Sequence, residues 1–258
     1  MEKSSQKPVA IITGASAGIG DAIARKLANN GLNLVAVARR KERLDKLSED
    51  LQGITEVTIV VGDVTDPATP KRAVEIAINT YGRLDCLINN AGSGKWMPVG
   101  DTDDQTLDEV VDISLKAPFR FAREALSVMQ PGSCILNIGS VWGLASGMSG
   151  GAYPVVKAGL IGLTRTLAAD YGPKGIRTNL VAPGVIRTEM TDAYWDTDYF
   201  QRTNQELTPF NRDGTVEDVA ATVLFLATQA GSYINGETIA LDGGWSNTKY
   251  LSPDALGR

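Results

Sequence analysis

The 258-residue chain contains no histidine. That absence removes every mechanism resting on an imidazole base, including Ser-His-Asp triads, His-ligated zinc and His-dependent hydroxy-acid oxidation. Proton transfer must fall to Tyr, Lys, Asp, Glu or Cys. Cysteine is scarce too: Cys86 and Cys134 lie in apolar, strand-like runs. They read as reduced, buried thiols of a cytoplasmic protein, and no cluster suggests a metal site. No apolar run approaches the ~18 residues that a bilayer span needs. The opening Met1-Glu-Lys-Ser-Ser-Gln-Lys7 has no apolar core of a secretory signal. Basic excess is also missing. A formal charge of −5 and a pI near 4.9 argue against nucleic acid or an anionic membrane as partner.

What is present is an ordinary globular composition, 43% apolar and 21% charged, with no break or repeat dividing residues 1–258. One domain is therefore expected. Short apolar runs at 8–12, 32–38, 56–61, 84–88, 134–140, 176–182 and 237–241 read as strands. Helical patterns fall between them: one opens after Gly20 with Ile19, Ile23 and Leu27 on one face, and others span about 67–81, 153–171 and 216–228. A further helix over about 106–129 is interrupted by Pro118. Strands alternating with helices, without hairpin signals, predict an α/β fold: a Rossmann-type, doubly wound parallel sheet of about seven strands. Ligands of such sheets sit beyond the C-terminal strand ends.

The first strand runs into Thr13-Gly-Ala-Ser-Ala-Gly-Ile-Gly20. Glycines at a strand-to-helix turn let backbone amides approach a phosphate, so Gly14, Ser16, Gly18, Ile19 and Gly20 are candidate cofactor contacts. The spacing departs from G-x-G-x-x-G, and a tight βα connection would look the same. About 20 residues on, where an acidic residue would bind the ribose of NAD, stand Arg39 and Arg40. Two cations with no nearby carboxylate to repel it suit a 2′-phosphate, which predicts NADP(H) over NAD(H). The alternative is a solvated helix start continuing through Lys41 and Arg43. Asp63 and Val64 end the third strand and could frame an adenine. Asn90, Ala91 and Gly92 follow the fourth.

The chemistry centres on residues 134–157. An apolar strand ends at Ser140, and a helix then opens with Tyr153 four residues before Lys157. Positions i and i+4 share a helix face, so both can address one spot beside Ser140. A neighbouring ammonium lowers a phenol's pKa, making tyrosine a usable acid/base. The pair alone is weak, since composition produces such spacings by chance. Pro154 places Tyr153 at the helix entry.

Together these motifs resemble the short-chain dehydrogenase/reductases, in their single-domain NAD(P)-dependent branch. The resemblance runs from Val9 to about Trp245. It rests on Thr13-Gly-x-x-x-Gly-Ile-Gly20, Asp63, Asn89-Asn-Ala-Gly92, Ser140, Tyr153-x-x-x-Lys157, Asn179, Pro183-Gly184 and Asp242-Gly-Gly244. It implies that Ser140 hydrogen-bonds the substrate oxygen and that Tyr153 is the general acid/base. Lys157 would lower the tyrosine's pKa and hold the nicotinamide ribose, while Pro183, Gly184, Val185 and Thr188 would fix the carboxamide end. It also implies a homotetramer. One departure stands out, since Ser114 occupies the place of the family's usual asparagine, whose carbonyl holds a proton-relay water. Pro118 lacks an N–H, so the Ser114 carbonyl loses its helical partner and is free to keep that role, with the hydroxyl back-bonding along the helix.

The expected function is NADP(H)-dependent interconversion of a small apolar ketone and a secondary alcohol. The irregular stretch over about 184–213 carries Tyr194, Trp195, Tyr199 and Phe200. It reads as a lid over the substrate, or as a subunit contact. Trp96, Trp142 and Met148 are further candidate pocket walls. A 3-oxoacyl-thioester reductase ranks second, because Ser127-Val-Met-Gln-Pro-Gly-Ser133 offers no basic residue to an acidic carrier protein. An idle NADP-binding protein ranks third.

Overall fold

The apolar runs at the centre of the sheet become strands whose residues are buried on both faces, while the edge strands are partly covered. The computed structural model of the chain describes residues 6–253. Seven strands pair in the order β3-β2-β1-β4-β5-β6-β7, and every pairing is parallel. They are β1 (Val9–Thr13), β2 (Asn33–Ala38), β3 (Val57–Val61), β4 (Cys86–Asn89), β5 (Cys134–Ile138), β6 (Arg177–Pro183) and β7 (Thr238–Leu241). Order reverses beside β1, between β1 and β4, which opens the crevice where such sheets bind ligands.

Helices cover both faces. On one side α3 (Ala68–Tyr81), α5 (Ala117–Leu126) and α6 (Ala152–Tyr171) press Ala77, Phe121 and Leu160 against Ile11, Leu87 and Ile135. On the other, α1 (Gly18–Ala28), α2 (Lys41–Asp50) and α8 (Val216–Ala227) bury Ile23, Leu27, Leu44 and Val223 against Ile12, Leu34 and Leu136. Burial on both faces explains why the strands are continuous apolar runs rather than alternating ones. Cys86 and Cys134 are register partners on β4 and β5, both free, with sulfurs 3.3 Å apart.

The helix expected across 106–129 is three segments. After α4 (Asp104–Val111) comes a π turn, Asp112–Lys116, where the Ala117 N–H bonds back to the Asp112 carbonyl. Pro118 sits in the first turn of α5. The missing proline N–H is accommodated by one wide turn rather than a break. Beyond β6 the chain winds irregularly through α7 (Asp198–Phe200) and a second π turn, Gln201–Gln205, before α8.

A buried polar chain ties together the elements that carry the site. Asn89 of β4 donates to the Asn137 side chain of β5 at 2.9 Å, and Asn137 donates to Thr164 of α6 at 2.9 Å. Thr164 in turn donates to the Leu160 carbonyl at 2.8 Å. Asn137 is fully buried, so its loss orphans polar groups on both sides. Asn137→Ala is expected to cost roughly 2 kcal/mol or more, read as a lowered urea midpoint at unchanged slope.

Candidate active site

The glycine turn is held open by a side chain from the neighbouring strand end. Asn90 donates to the carbonyls of Thr13 (2.9 Å) and Gly14 (3.3 Å), while the Thr13 hydroxyl accepts from the amides of Asn90 and Ala91, both at 3.0 Å. Gly14 adopts a left-handed φ of 68°. A Cβ on Gly20 would meet the Gly14 carbonyl oxygen at 2.2 Å. No side chain caps α1, so its first amides keep their capacity for an anion. A nucleotide phosphate fits this cradle. Gly20→Ala should force the turn apart and abolish nucleotide binding while leaving far-UV circular dichroism unchanged.

Beside the cradle, Arg40 donates twice to the Ser16 hydroxyl, at 3.2 and 3.1 Å. Arg39 lies 3.7 Å from Asp63. The expectation of no nearby carboxylate is corrected here, because Glu189, far away in sequence, pairs with both Arg40 and Arg43. Burial works against ionisation of Asp63, but two hydrogen bonds from Thr65 and the Arg39 charge hold its carboxyl below the usual range. Val64 is buried next to it.

Ser140, Tyr153 and Lys157 converge at the C-terminal end of β5. Ser140 is two residues past the strand, its hydroxyl accepting the Trp142 N–H at 3.2 Å. Tyr153 is the second residue of α6, in keeping with its entry position, and Lys157 follows one turn on. The Lys157 ammonium is 5% exposed, donates to the Ile138 carbonyl at 3.0 Å and lies 5.5 Å from the Tyr153 ring centre. Gly92 closes the pocket behind it: a Cβ there would stand 3.5 Å from the Lys157 nitrogen and 3.9 Å from the Ser114 hydroxyl. Ser114 is buried in the π turn. Its hydroxyl accepts the Ser93 N–H at 3.3 Å, joining this turn to the loop after β4, instead of back-bonding along its own helix.

The electrostatics correct one expectation. Burial pushes the Tyr153 phenol above its usual value, and the Ser140 hydroxyl acts in the opposite sense. The ammonium is not what sets the direction. Burial instead drops Lys157 from its usual 10.5 to about 8. Both groups thus lean towards their neutral forms.

In front of them opens a cavity of about 370 Å³, lined mainly by apolar and aromatic groups. Trp96, Trp142, Tyr194 and Tyr199 line it together with Ser140, Tyr153, Gly184 and Val185. Trp96 packs on Tyr153 (ring centres 5.7 Å) and on Tyr194 (5.3 Å). Two expected wall residues do not line it. Trp195 is 6% exposed and turns away, stacked against Phe200 and Arg187. Met148 is 76% exposed, and only its carbonyl takes part, accepting the Tyr199 hydroxyl at 3.0 Å. Pro183 ends β6, and Gly184 donates to Leu241 of β7. Thr188 leans on the glycine turn, its methyl 3.4 Å from where a Gly18 Cβ would be. Sequence reasoning missed Val141, Ser149, Ile186, Met190, Thr191, Thr197 and Asn204 as lining residues. Most lie in the irregular stretch, where no periodicity marks an inward face. Ser149 is marked only in the structure, as the one described non-glycine residue with positive φ, 59°.

The shifted lysine gives a direct test. Between about 8 and the usual 10.5 the folded chain has released a proton that the unfolded chain keeps, so this group adds stability as pH rises through that window. A titration of 13C-labelled lysines by NMR should show one resonance, absent in Lys157→Met, moving near pH 8. Titration of that resonance with the surface lysines would contradict the burial argument.

Comparison with known proteins agrees with this geometry. A sequence family described as enoyl-(acyl carrier protein) reductase matches residues 14–246. The chain is 36% identical over 239 residues to the 3-oxoacyl-(acyl-carrier-protein) reductase FabG of Thermotoga maritima, covering 92% of this chain and 96% of that one. It is 34% identical over 255 residues to tropinone reductase-like 3 of Erythroxylum coca, covering 95% and 98%. Among solved structures, a short-chain dehydrogenase of Burkholderia cenocepacia in complex with NADP superposes with a TM-score of 0.89 at 30% identity, over 94% and 99% of the two chains. No described helix is long and apolar enough to cross a membrane. By sequence, by sheet order and by likeness to solved folds, the chain belongs to the short-chain dehydrogenase/reductase family of oxidoreductases.

Proposed function

We propose that this oxidoreductase interconverts a ketone and a secondary alcohol with NADP(H), using Tyr153 as general acid/base. The observation that carries the reading is that Ser140 and Tyr153 line one apolar cavity, with the buried Lys157 behind them, 5.5 Å from the Tyr153 ring centre. The open glycine cradle, with Arg39 and Arg40 beside it, fits a nicotinamide dinucleotide bearing a 2′-phosphate. Gly14, Ser16, Gly18, Ile19, Gly20, Asp63, Val64, Asn90, Ala91 and Gly92 would bound its adenosine and phosphate side. Pro183, Gly184, Val185 and Thr188 would meet the carboxamide end. Bound there, the cofactor supplies a hydride to the carbonyl carbon or accepts one from the alcohol.

The residues of the chain handle the proton. The Ser140 hydroxyl donates to the substrate oxygen and orients it. Tyr153 gives its phenolic proton to that oxygen in reduction and takes it back in oxidation. The Lys157 ammonium, fixed by the Ile138 carbonyl, stabilises the phenolate that results. The Ser114 carbonyl, which Pro118 deprives of its i+4 partner, would pass protons through water towards Lys157. Trp96, Trp142, Tyr194 and Tyr199 exclude solvent and select an apolar substrate.

A second reading, reduction of a 3-oxoacyl thioester, is favoured by the relatives that bear that name. The apolar cavity suits an acyl chain as well as a ketone. Self-association as a homotetramer is supported by Leu107, Phe119 and Val155, exposed on α4, α5 and α6. The free, buried Cys86 and Cys134 suit a reducing cytoplasm.

The test is loss of reduced-nicotinamide absorbance across apolar ketones and 3-oxoacyl thioesters, with NADPH and NADH in parallel. Consumption of NADPH with ketones is expected. Activity confined to thioesters would select the second reading. Tyr153→Phe should lower kcat by about 10²- to 10⁴-fold while NADPH still binds. Light scattering should report a tetramer.

A further inference from the structure

The arginines beside the glycine cradle are already engaged. Arg40, immediately before α2, divides its guanidinium between Ser16 of the cradle and Glu189, whose Oε2 it meets at 2.9 Å. Arg43, one turn along α2, donates to the other oxygen, Oε1. One carboxylate thus spans two guanidinium groups of a single helix. Among the described residues it accepts from no third group.

Position gives this carboxylate its consequence. Glu189 directly follows Thr188, which leans on the glycine turn, and directly precedes Met190 and Thr191, which line the substrate cavity. It joins the cofactor side of the site to the first residues of the lid. Asp63, the other carboxylate here, differs in kind: two Thr65 hydrogen bonds pin it at the end of β3. Glu189 is held by the arginines alone.

Magnitudes separate a structural staple from a specificity device. The side chains of Arg40, Arg43 and Glu189 are 44%, 45% and 59% exposed. Exposed ion pairs add only about 0–1 kcal/mol to stability, so the fold gains little from this one. The same interaction weighs differently against a ligand. A phosphate monoester carries about −1.5 to −2 charges near neutral pH and seeks the same guanidinium donors.

We propose that Glu189 is a specificity-determining residue: its carboxylate competes with the cofactor's 2′-phosphate for the Arg40 donors. The preference for NADP(H) is thereby set below what Arg39 and Arg40 would give unopposed. The inference rests on the NADP(H) reading above and deepens it. It also makes the phosphate and the lid's first residues rivals for one guanidinium. Arg43 is the residue that keeps Glu189 when Arg40 lets go.

The test measures dissociation constants of NADPH and NADH by tryptophan fluorescence quenching on the whole protein at one fixed ionic strength. The proteins compared are wild type, Glu189→Gln, Arg40→Met and the double variant. Glu189→Gln should bind NADPH about 3- to 5-fold more tightly, the size of an exposed ion pair, and NADH within about 2-fold of wild type. In the Arg40→Met background the gain should vanish. An unchanged or weaker NADPH affinity in Glu189→Gln overturns the inference, as does an equal gain for both cofactors or a gain that survives loss of Arg40. Wild-type protein that binds neither cofactor would overturn the functional reading and this inference with it. Binding of both without the Glu189 effect overturns the inference alone.

Discussion

A buried ammonium is the constraint around which this molecule is arranged. Lys157 is almost wholly inside the protein, and an unpaired charge there would cost far more than the fold could recover. Its hydrogen bond to the carbonyl of Ile138, the last residue of β5, ties α6 to the end of that strand. The same bond fixes the azimuth of α6, and with it the position of Tyr153 one turn earlier. Gly92 lies against the ammonium: a Cβ there would stand 3.5 Å from its nitrogen. Burial also acts on both groups in the sense of their neutral forms, bringing the lysine down to about 8 and pushing the phenol up.

The parallel sheet supplies the rest of the geometry. Its strands end together at one edge, so residues far apart in sequence meet there: the glycine turn after β1, Arg39 after β2, Asp63 after β3, Asn90 after β4, Ser140 after β5 and Gly184 after β6. The Asn89–Asn137–Thr164 chain locks β4, β5 and α6 in mutual register directly behind the reacting groups. In front of them, the irregular stretch after β6 is anchored by the buried Ile186 and Trp195 and by polar contacts that include Tyr199 to Met148, Trp245 to Thr203, and Glu189 to the two arginines. Such contacts orient a loop without immobilising it.

Much of this was legible in the chain. All seven strands fall within two residues of their apolar runs, because parallel strands buried on both faces leave a signal that polar alternation cannot mimic. The glycine turn and the Ser140, Tyr153 and Lys157 positions were legible because their spacing reflects local backbone geometry. The helix around Pro118 was only half legible: the proline marked a disturbance, but whether a chain kinks or widens into a π turn depends on what packs behind it. Trp195 and Met148 show the other limit. Aromatic or apolar character alone does not say which side of an irregular loop a residue faces, and one turned inward onto Phe200 while the other turned to solvent.

The sequence by itself determined the class of fold, the order of its elements, the absence of any imidazole chemistry and the identity of the three converging groups. These depend on residue type and short-range spacing, which survive any arrangement of the rest. The tertiary structure alone decided the carboxylate partners of the arginines, the direction in which burial shifts Tyr153 and Lys157, the contact of Ser114 with Ser93, and the walls of the cavity. Each of these arises where segments tens of residues apart are brought within a few ångströms. Charge pairing and desolvation depend on that distance and on exclusion of water, neither of which is written in any local pattern.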